Sequence, residues 1–252
     1  MVDNLQGTVA LITGASSGIG QASARRLAAA GASVAIVARR TERLEELADE
    51  LRASGSTVLT VSADLTDADA ATDAVERTVS KLGRLDTVVN AAGLMLNGPT
   101  AELTLDDWDR MIDINLRGLL HVSKVALPHL LAAAQQEPRK VADLVNISSV
   151  AGRFAAPGTA GYNATKFGVT AVSEALRQEY AKEHLRVSVV EPGRVDTELF
   201  DHREGSAEDF EAMFGKIEPL RASDIAEAVA TIVTSPRRSA INEIVIRPTE
   251  QF

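Results

Sequence analysis

Tyr162 and Lys166 stand four residues apart in Tyr162-Asn-Ala-Thr-Lys166, at the start of a helical pattern that continues through Val169, Val172, Ala175 and Leu176. That spacing puts a phenol and an ammonium on one face of a helix, one turn apart. A cation held beside a phenol favours the phenolate, which makes the pair a candidate acid and base. Ser149 lies thirteen residues before Tyr162 and follows the apolar run Leu144-Val-Asn-Ile147. Such a run reads as a buried parallel strand, and open α/β sheets bind their ligands beyond the carboxyl ends of such strands. Most Tyr/Lys pairs at helical spacing are ordinary surface neighbours. The strand-end serine and a second motif near the amino terminus set this one apart.

The second motif is Gly14-Ala-Ser16-Ser17-Gly18-Ile19-Gly20, placed after a short β-branched run at 8–13 and before a helical stretch reaching Ala30. Glycines there allow positive φ and close approach of backbone to a phosphate, and the N-terminus of the following helix favours an anion. The spacing differs from the common G-x-G-x-x-G. Its place between strand and helix is what favours nucleotide binding over a plain structural turn.

The elements that must hold these residues follow from periodicity. Buried strands are expected at 8–13, 33–38, 58–62, 86–90, 143–148, 186–191 and 243–247. Between them lie helical patterns. Gly31 ends the first, and Thr41 reads as the cap of a second with Leu44, Leu47 and Leu51 on one face. A third carries Val75, Val79 and Leu82. A long helical region over 104–135 is expected to bend near Pro128, another helix spans 161–184, and a last one is capped by Ser223 and reaches Ser235. Strand and helix alternate throughout. The expected fold is therefore α/β: a single doubly wound, Rossmann-type domain over 1–252, with a seven-stranded parallel sheet covered by helices on both faces. Its cofactor half would be about 1–140, and its catalytic and substrate half about 141–252.

Composition narrows the partners. With 252 residues the chain can bury a large single core. A formal net charge of −9 argues against nucleic acid or an anionic membrane as partner. No apolar run approaches a membrane span and the N-terminus has no signal pattern, so a cytoplasmic protein is expected. The absence of cysteine excludes disulfides and thiolate chemistry. His121, His129, His184 and His202 show no metal-ligand spacing, so no metal is expected. The acidic residues Glu204, Glu208, Asp209 and Glu211 read as a solvated face, and Trp108 as helix packing.

Taken together, Thr13-Gly14-x3-Gly18-Ile19-Gly20, Asn90-Ala91-Ala92-Gly93, Asn115, Ser149, Tyr162-x3-Lys166 and Pro192-Gly193 resemble the classical short-chain dehydrogenase/reductase family over nearly the whole chain. The resemblance implies an oxidoreductase with a catalytic tetrad. Asn115 would hold a water for a proton relay and Ser149 would hydrogen-bond the substrate oxygen. Tyr162 would act as acid/base, and Lys166 would lower its pKa and bind the nicotinamide ribose; the Lys166 charge, with that of an oxidised nicotinamide, would bring the tyrosine toward 7. It also implies that Asp64 and Leu65 contact adenine, Ala92 and Gly93 pack on the adenosine side, and Val195 and Thr197 hold the carboxamide. Members of the family are usually tetramers built through their long helices, so a homo-oligomer, tetramer or dimer, is expected.

Two departures stand out. Ala91 replaces the second asparagine of the family's usual Asn-Asn-Ala-Gly, and the common Asp-Gly-Gly ending is replaced by Glu243-Ile-Val-Ile-Arg-Pro-Thr-Glu-Gln-Phe252. That tail, with 111–115 and Glu191-Pro192-Gly193, is similar to the branch containing the NADP-dependent clavulanic acid dehydrogenase. The branch favours a carbonyl reductase acting on a small polar molecule. A catalytically idle NADP(H)-sensing regulator is the alternative, disfavoured because Tyr162 and Lys166 are both present. An extended-family enzyme acting on nucleotide sugars is disfavoured by the short length and the form of the glycine turn.

Cofactor choice is read at the end of the second strand. An acidic residue there would hold the 2′-hydroxyl of NAD and repel the 2′-phosphate of NADP. The position is Ala38, eighteen residues after Gly20, followed at once by Arg39 and Arg40. NADP(H) is the expected cofactor. On the substrate side, Leu94, Met95, Leu96, Phe154, Phe200, Met213 and Phe214 are expected to form an apolar lining, broken by Arg153 or Arg194 as partner for a substrate carboxylate.

Tyr162→Phe removes only the hydroxyl. Folding and NADPH binding are expected to survive while turnover falls by ~10²–10⁴, the scale of general acid catalysis. A variant that keeps most of its kcat rules out Tyr162 as the proton donor.

Overall fold

The computed structural model describes residues 4–199 and 215–251. Phe200, Met213 and Phe214, expected on the substrate side, lie outside the described residues, as do His202, Glu204, Glu208, Asp209 and Glu211. The strands are β1 (Val9–Thr13), β2 (Ser33–Ala38), β3 (Val58–Ser62), β4 (Thr87–Asn90), β5 (Ala142–Ile147), β6 (Leu185–Pro192), β7 (Val195–Asp196), β8 (Leu220–Arg221) and β9 (Glu243–Ile246). The helices are α1 (Gly18–Ala29), α2 (Thr41–Ala53), α3 (Ala68–Leu82), α4 (Leu105–Ile112), α5 (Gly118–Ala133), α6 (Ala160–Tyr180) and α7 (Ala222–Thr234).

Seven strands form one parallel sheet in the order β3-β2-β1-β4-β5-β6-β9, and β7 pairs with β8 apart from it. The expected doubly wound sheet is what the chain builds. Alternation along the strands explains the two covering layers. Ala10 and Ile12 of β1, with Val34 and Ile36 of β2, face α1, α2 and α7. Val9, Leu11, Ala35 and Val37 face α3 and α5 on the other side. Burial of each such Val, Leu or Ile contributes about 1.5–3 kcal/mol, which makes these two layers the main source of stability.

Strand order reverses between β1 and β4, and a crevice opens there at the carboxyl edge of a doubly wound sheet. Close backbone approach shapes it. A Cβ on Gly14 would stand 2.8 Å from the Ala92 backbone, and one on Gly20 would stand 2.4 Å from the Gly14 carbonyl oxygen. Gly14 and Gly18 also have φ of +66° and +51°, in the left-handed region. The glycine turn is thus required sterically on both sides, by β4 and by its own helix.

Two local expectations are corrected. Thr41 is the first residue of α2 and does not cap it; its hydroxyl donates to Ser62 Oγ at 2.9 Å. Ser223 lies inside α7, where the Asp224 carboxylate accepts the Arg221 N–H at 2.7 Å and so caps the start. Pro128 lies inside α5, and the long helical region passes through a π-helical turn, Asp113–Arg117, between α4 and α5. Trp108 packs beside Leu94, Met95, Leu96, Met111 and Tyr162, as helix packing would have it. Among the described residues no helix is long and apolar enough to cross a membrane.

Gly20→Ala is expected to lower stability by about 1–3 kcal/mol, because the added methyl overlaps a backbone oxygen that cannot rotate away. Urea unfolding reads this directly. A variant with the wild-type midpoint would mean that α1 shifts freely against its turn.

Candidate active site

The carboxyl ends of β1, β2, β4, β5 and β6 open on one cleft of about 910 Å³. Every residue expected to touch the cofactor lines it except Gly20, which packs beneath the turn. The chain's own groups suit a dinucleotide. The first turn of α1 carries no acidic residue, so its free N–H groups and helix dipole favour a phosphate. Thr13 Oγ1 accepts the N–H of Ala91 at 3.1 Å and of Ala92 at 3.2 Å, which sets the β4 loop against the glycine turn. Asn90 reaches the cleft wall, but its side-chain amide is turned inward. It donates to Asn146 Oδ1 at 2.9 Å and Ser123 Oγ at 3.1 Å, and Asn146 donates on to Ser173 Oγ at 2.8 Å. This buried polar ladder ties β4 and β5 to α5 and α6.

The catalytic candidates meet at the middle of the cleft. Ser149 ends the extended chain after β5 and caps a short 3₁₀ turn, its hydroxyl accepting the Ala151 N–H at 3.1 Å. The Ser149 hydroxyl donates to the Pro192 carbonyl at 3.4 Å and lies where it favours the Tyr162 phenolate. Tyr162 and Lys166 lie on the first turns of α6, both buried, with Lys166 Nζ 5.6 Å from the centre of the phenol ring. Lys166 Nζ donates to the Ile147 carbonyl at 2.9 Å, so β5 aims the ammonium as well as the serine.

Burial acts on both titrating groups of the cleft. Burial pushes the Tyr162 hydroxyl up to about 12, and the Ser149 hydroxyl offsets this only in part. Burial also lowers Lys166 to about 8, because the charged ammonium is desolvated. The protein's own groups therefore do not bring the tyrosine toward 7. Asn115, expected to support a proton relay, is tied into the β4 loop. It sits in the π-helical turn with its side chain off the cleft, where Oδ1 accepts the Leu94 N–H at 2.7 Å and Nδ2 donates to Leu94 O at 2.8 Å and Thr165 Oγ1 at 3.1 Å. The side chain clamps the β4 loop to α6.

On the substrate side, Leu94, Met95, Phe154 and Arg194 line the cleft. Leu96 does not; it is buried with its N–H on the Met111 sulfur. Arg153 is also turned away. Its guanidinium donates to the carboxylates of Glu191 and Glu243, which hold it as a structural ion pair and leave no role as a substrate anchor.

Three polar residues with parts in the site were not singled out from sequence. Asn163, next to Tyr162, donates to Ala151 O at 2.6 Å and Phe154 O at 2.9 Å and accepts from Thr159, fixing the loop between Ser149 and α6. Gln251 accepts the Arg194 N–H at 2.9 Å, and Glu198 lies in the cleft wall. Nothing in their spacing distinguishes them from surface polar residues.

Lys166 gives the fold a pH signature. Between pH 8 and 10 the unfolded chain holds a proton that the folded lysine has released, so stability rises with pH across that window. Above pH 10 the raised Tyr162 acts in the opposite sense. The unfolding free energy of the wild type minus that of Lys166→Met is expected to rise by about 2 kcal/mol over this interval. A flat difference would show that burial does not depress the lysine.

Comparison with known proteins agrees with this geometry. The model of the short chain dehydrogenase family matches residues 8–207. An uncharacterized oxidoreductase of Staphylococcus epidermidis is 35% identical over 240 residues, covering 95% of this chain and 96% of its own. Among solved structures, the alcohol dehydrogenase of Thermococcus sibiricus complexed with 5-hydroxy-NADP superposes with a TM-score of 0.83 at 29% identity, over 97% of this chain and 98% of its own. The 3-ketoacyl-(acyl-carrier-protein) reductase of Brucella melitensis, complexed with NADH, gives 0.86 at 30% identity, over 99% of this chain and 100% of its own. Matched along most of its length by the family model and along nearly all of it by these relatives, the chain belongs to the short-chain dehydrogenase family.

Proposed function

We propose that this oxidoreductase is an NADP(H)-dependent carbonyl reductase or alcohol dehydrogenase acting on a small carbonyl or alcohol substrate. The observation that carries the reading is the meeting of Ser149, Tyr162 and Lys166 at the middle of a cleft that also holds the glycine turn. Ser149 would hold the substrate oxygen, and Tyr162 would deliver or accept its proton. Lys166, fixed by the Ile147 carbonyl, would reach the nicotinamide ribose and steady the phenolate. A bound nicotinamide supplies the hydride in reduction, and in its oxidised form adds a positive charge favouring the phenolate that the protein's own groups disfavour. The apolar wall of Leu94, Met95 and Phe154 suits the carbon skeleton, and Arg194 is retained as the candidate partner of a substrate carboxylate. Likeness of the tail to the clavulanic acid dehydrogenase branch supports a small polar carbonyl compound.

We further propose a cytoplasmic homo-oligomer, tetramer or dimer. Exposed Leu105 at the start of α4, Leu120 in α5 and Phe167 on α6 support assembly through the long helices, and light scattering tests it. The idle-regulator alternative predicts nucleotide binding without turnover. Oxidation of NADPH by a panel of aldehydes and ketones separates the two.

Cofactor preference is the sharper test. Ala38 places no carboxylate at the ribose, and Arg39 lines the cleft with its side chain 65% exposed and its guanidinium 4.0 Å from Asp64. Arg40 is already engaged by Ser16, Ser17 and Glu198. Arg39 is therefore the larger expected contributor to a 2′-phosphate site. A charge-assisted hydrogen bond contributes about 1.5–3 kcal/mol, or roughly 10- to 150-fold in affinity. NADPH is expected to exceed NADH by at least about tenfold in kcat/KM, mostly through KM. Arg39→Ala should weaken NADPH and spare NADH, and Ala38→Asp should penalise NADPH further. Equal use of the two cofactors by the wild type overturns this preference.

A further inference from the structure

Arg40 lies across the glycine turn rather than out in solvent. Its Nε donates to Ser16 Oγ at 3.0 Å and its Nη2 to Ser17 Oγ at 2.7 Å. The remaining face of the fork is taken by a residue from the other half of the molecule: Nη1 donates to Glu198 Oε2 at 2.8 Å. Arg43, in the first turn of α2, donates to the second oxygen of the same carboxylate. Glu198 arrives from the segment after β7, directly after Thr197, whose methyl group would stand 3.2 Å from a Cβ on Gly18. Arg40 and Glu198 both line the cleft, beside Ala38 and Arg39 where the second strand ends.

A carboxylate and a phosphate are alternative ligands for a guanidinium fork, and both are recognised through paired N–H donors. Arg40, then Arg43, hold the Glu198 carboxyl down to about 2, so it stays ionised throughout the working pH range. Two anions cannot share one fork without repulsion. Resting on the NADP(H) reading above, we propose that Glu198 is a specificity-determining residue: an internal anion that holds Arg40 and Arg43 and must give way when a cofactor 2′-phosphate draws on Arg40. The carboxylate therefore lowers affinity for the phosphorylated cofactor and leaves the unphosphorylated one untouched. Arg40 and Arg43 are 44% exposed and Glu198 41%, and pairs this open to water are weak. The effect is several-fold, not thousand-fold.

The test uses the full-length protein and two fragments that carry no nicotinamide, so turnover does not enter. Calorimetric titration with 2′,5′-ADP and with 5′-AMP compares the wild type with Glu198→Gln, a near-isosteric change at an exposed position. The variant is expected to bind 2′,5′-ADP about three- to tenfold more tightly and 5′-AMP unchanged. Equal or weaker binding of 2′,5′-ADP by the variant overturns the role of Glu198. If that happens while the wild type still prefers 2′,5′-ADP, the NADP(H) reading stands and only the internal anion is wrong. If neither protein distinguishes the two fragments, the NADP(H) reading fails and the role of Glu198 fails with it.

Discussion

The Gly14 carbonyl oxygen occupies the space that a side chain at position 20 would need, 2.4 Å from an ideal Cβ there. That contact lets α1 start directly against β1, and its partner on the other side, Gly14 against Ala92, lets the β4 loop close on the same turn. The crevice where strand order reverses is narrow for this reason. Backbone N–H groups and a helix dipole can face a phosphate there without an intervening side chain. The candidate catalytic residues are then placed by the same sheet, since β5 and β6 run parallel to β1 and end on the same edge.

Burial does opposite things to the two titrating groups of the site. It keeps the Tyr162 proton on and encourages the Lys166 proton off, which is the reverse of a tyrosinate–lysine pair in water. The low-dielectric setting also makes any added charge felt more strongly than at the surface. On the proposed reading, the charge of an oxidised nicotinamide would favour the Tyr162 phenolate, and proton transfer and hydride transfer would be tied to the same binding event.

Much of this was legible in the sequence, and the reasons are physical. The seven strands and the glycine turn could be read because β-branched runs and glycines have local, steric causes. Tyr162, Lys166 and Ser149 could be read because helical spacing and strand ends fix their relative positions. What could not be read depends on distant partners. Arg153 looked available beside the catalytic turn, yet its carboxylates come from 38 and 90 residues further along. The π-helical turn at Asp113–Arg117 has no compositional mark, whereas Pro128 draws attention and sits within regular helix. Thr41 and Ser223 have the right chemistry for caps, but a one- or two-residue shift of the helix start moves them inside. The high tyrosine pKa is a consequence of burial, which local spacing does not disclose.

The Arg153 ion pairs have a consequence for the order in which the enzyme is assembled. Arg153 leaves the 3₁₀ turn that carries Ser149 and is held by Glu191 at the end of β6 and Glu243 at the start of β9. Gln251, further on still, holds the backbone of Arg194. A chain emerging from the ribosome completes its glycine turn and strands β1 to β4 early, and N-terminal parts fold first during synthesis. The catalytic turn and the floor of the cleft wait for β9 to dock at the sheet edge. A nascent chain would thus complete its glycine turn well before the turn that carries Ser149 is braced by Glu191 and Glu243.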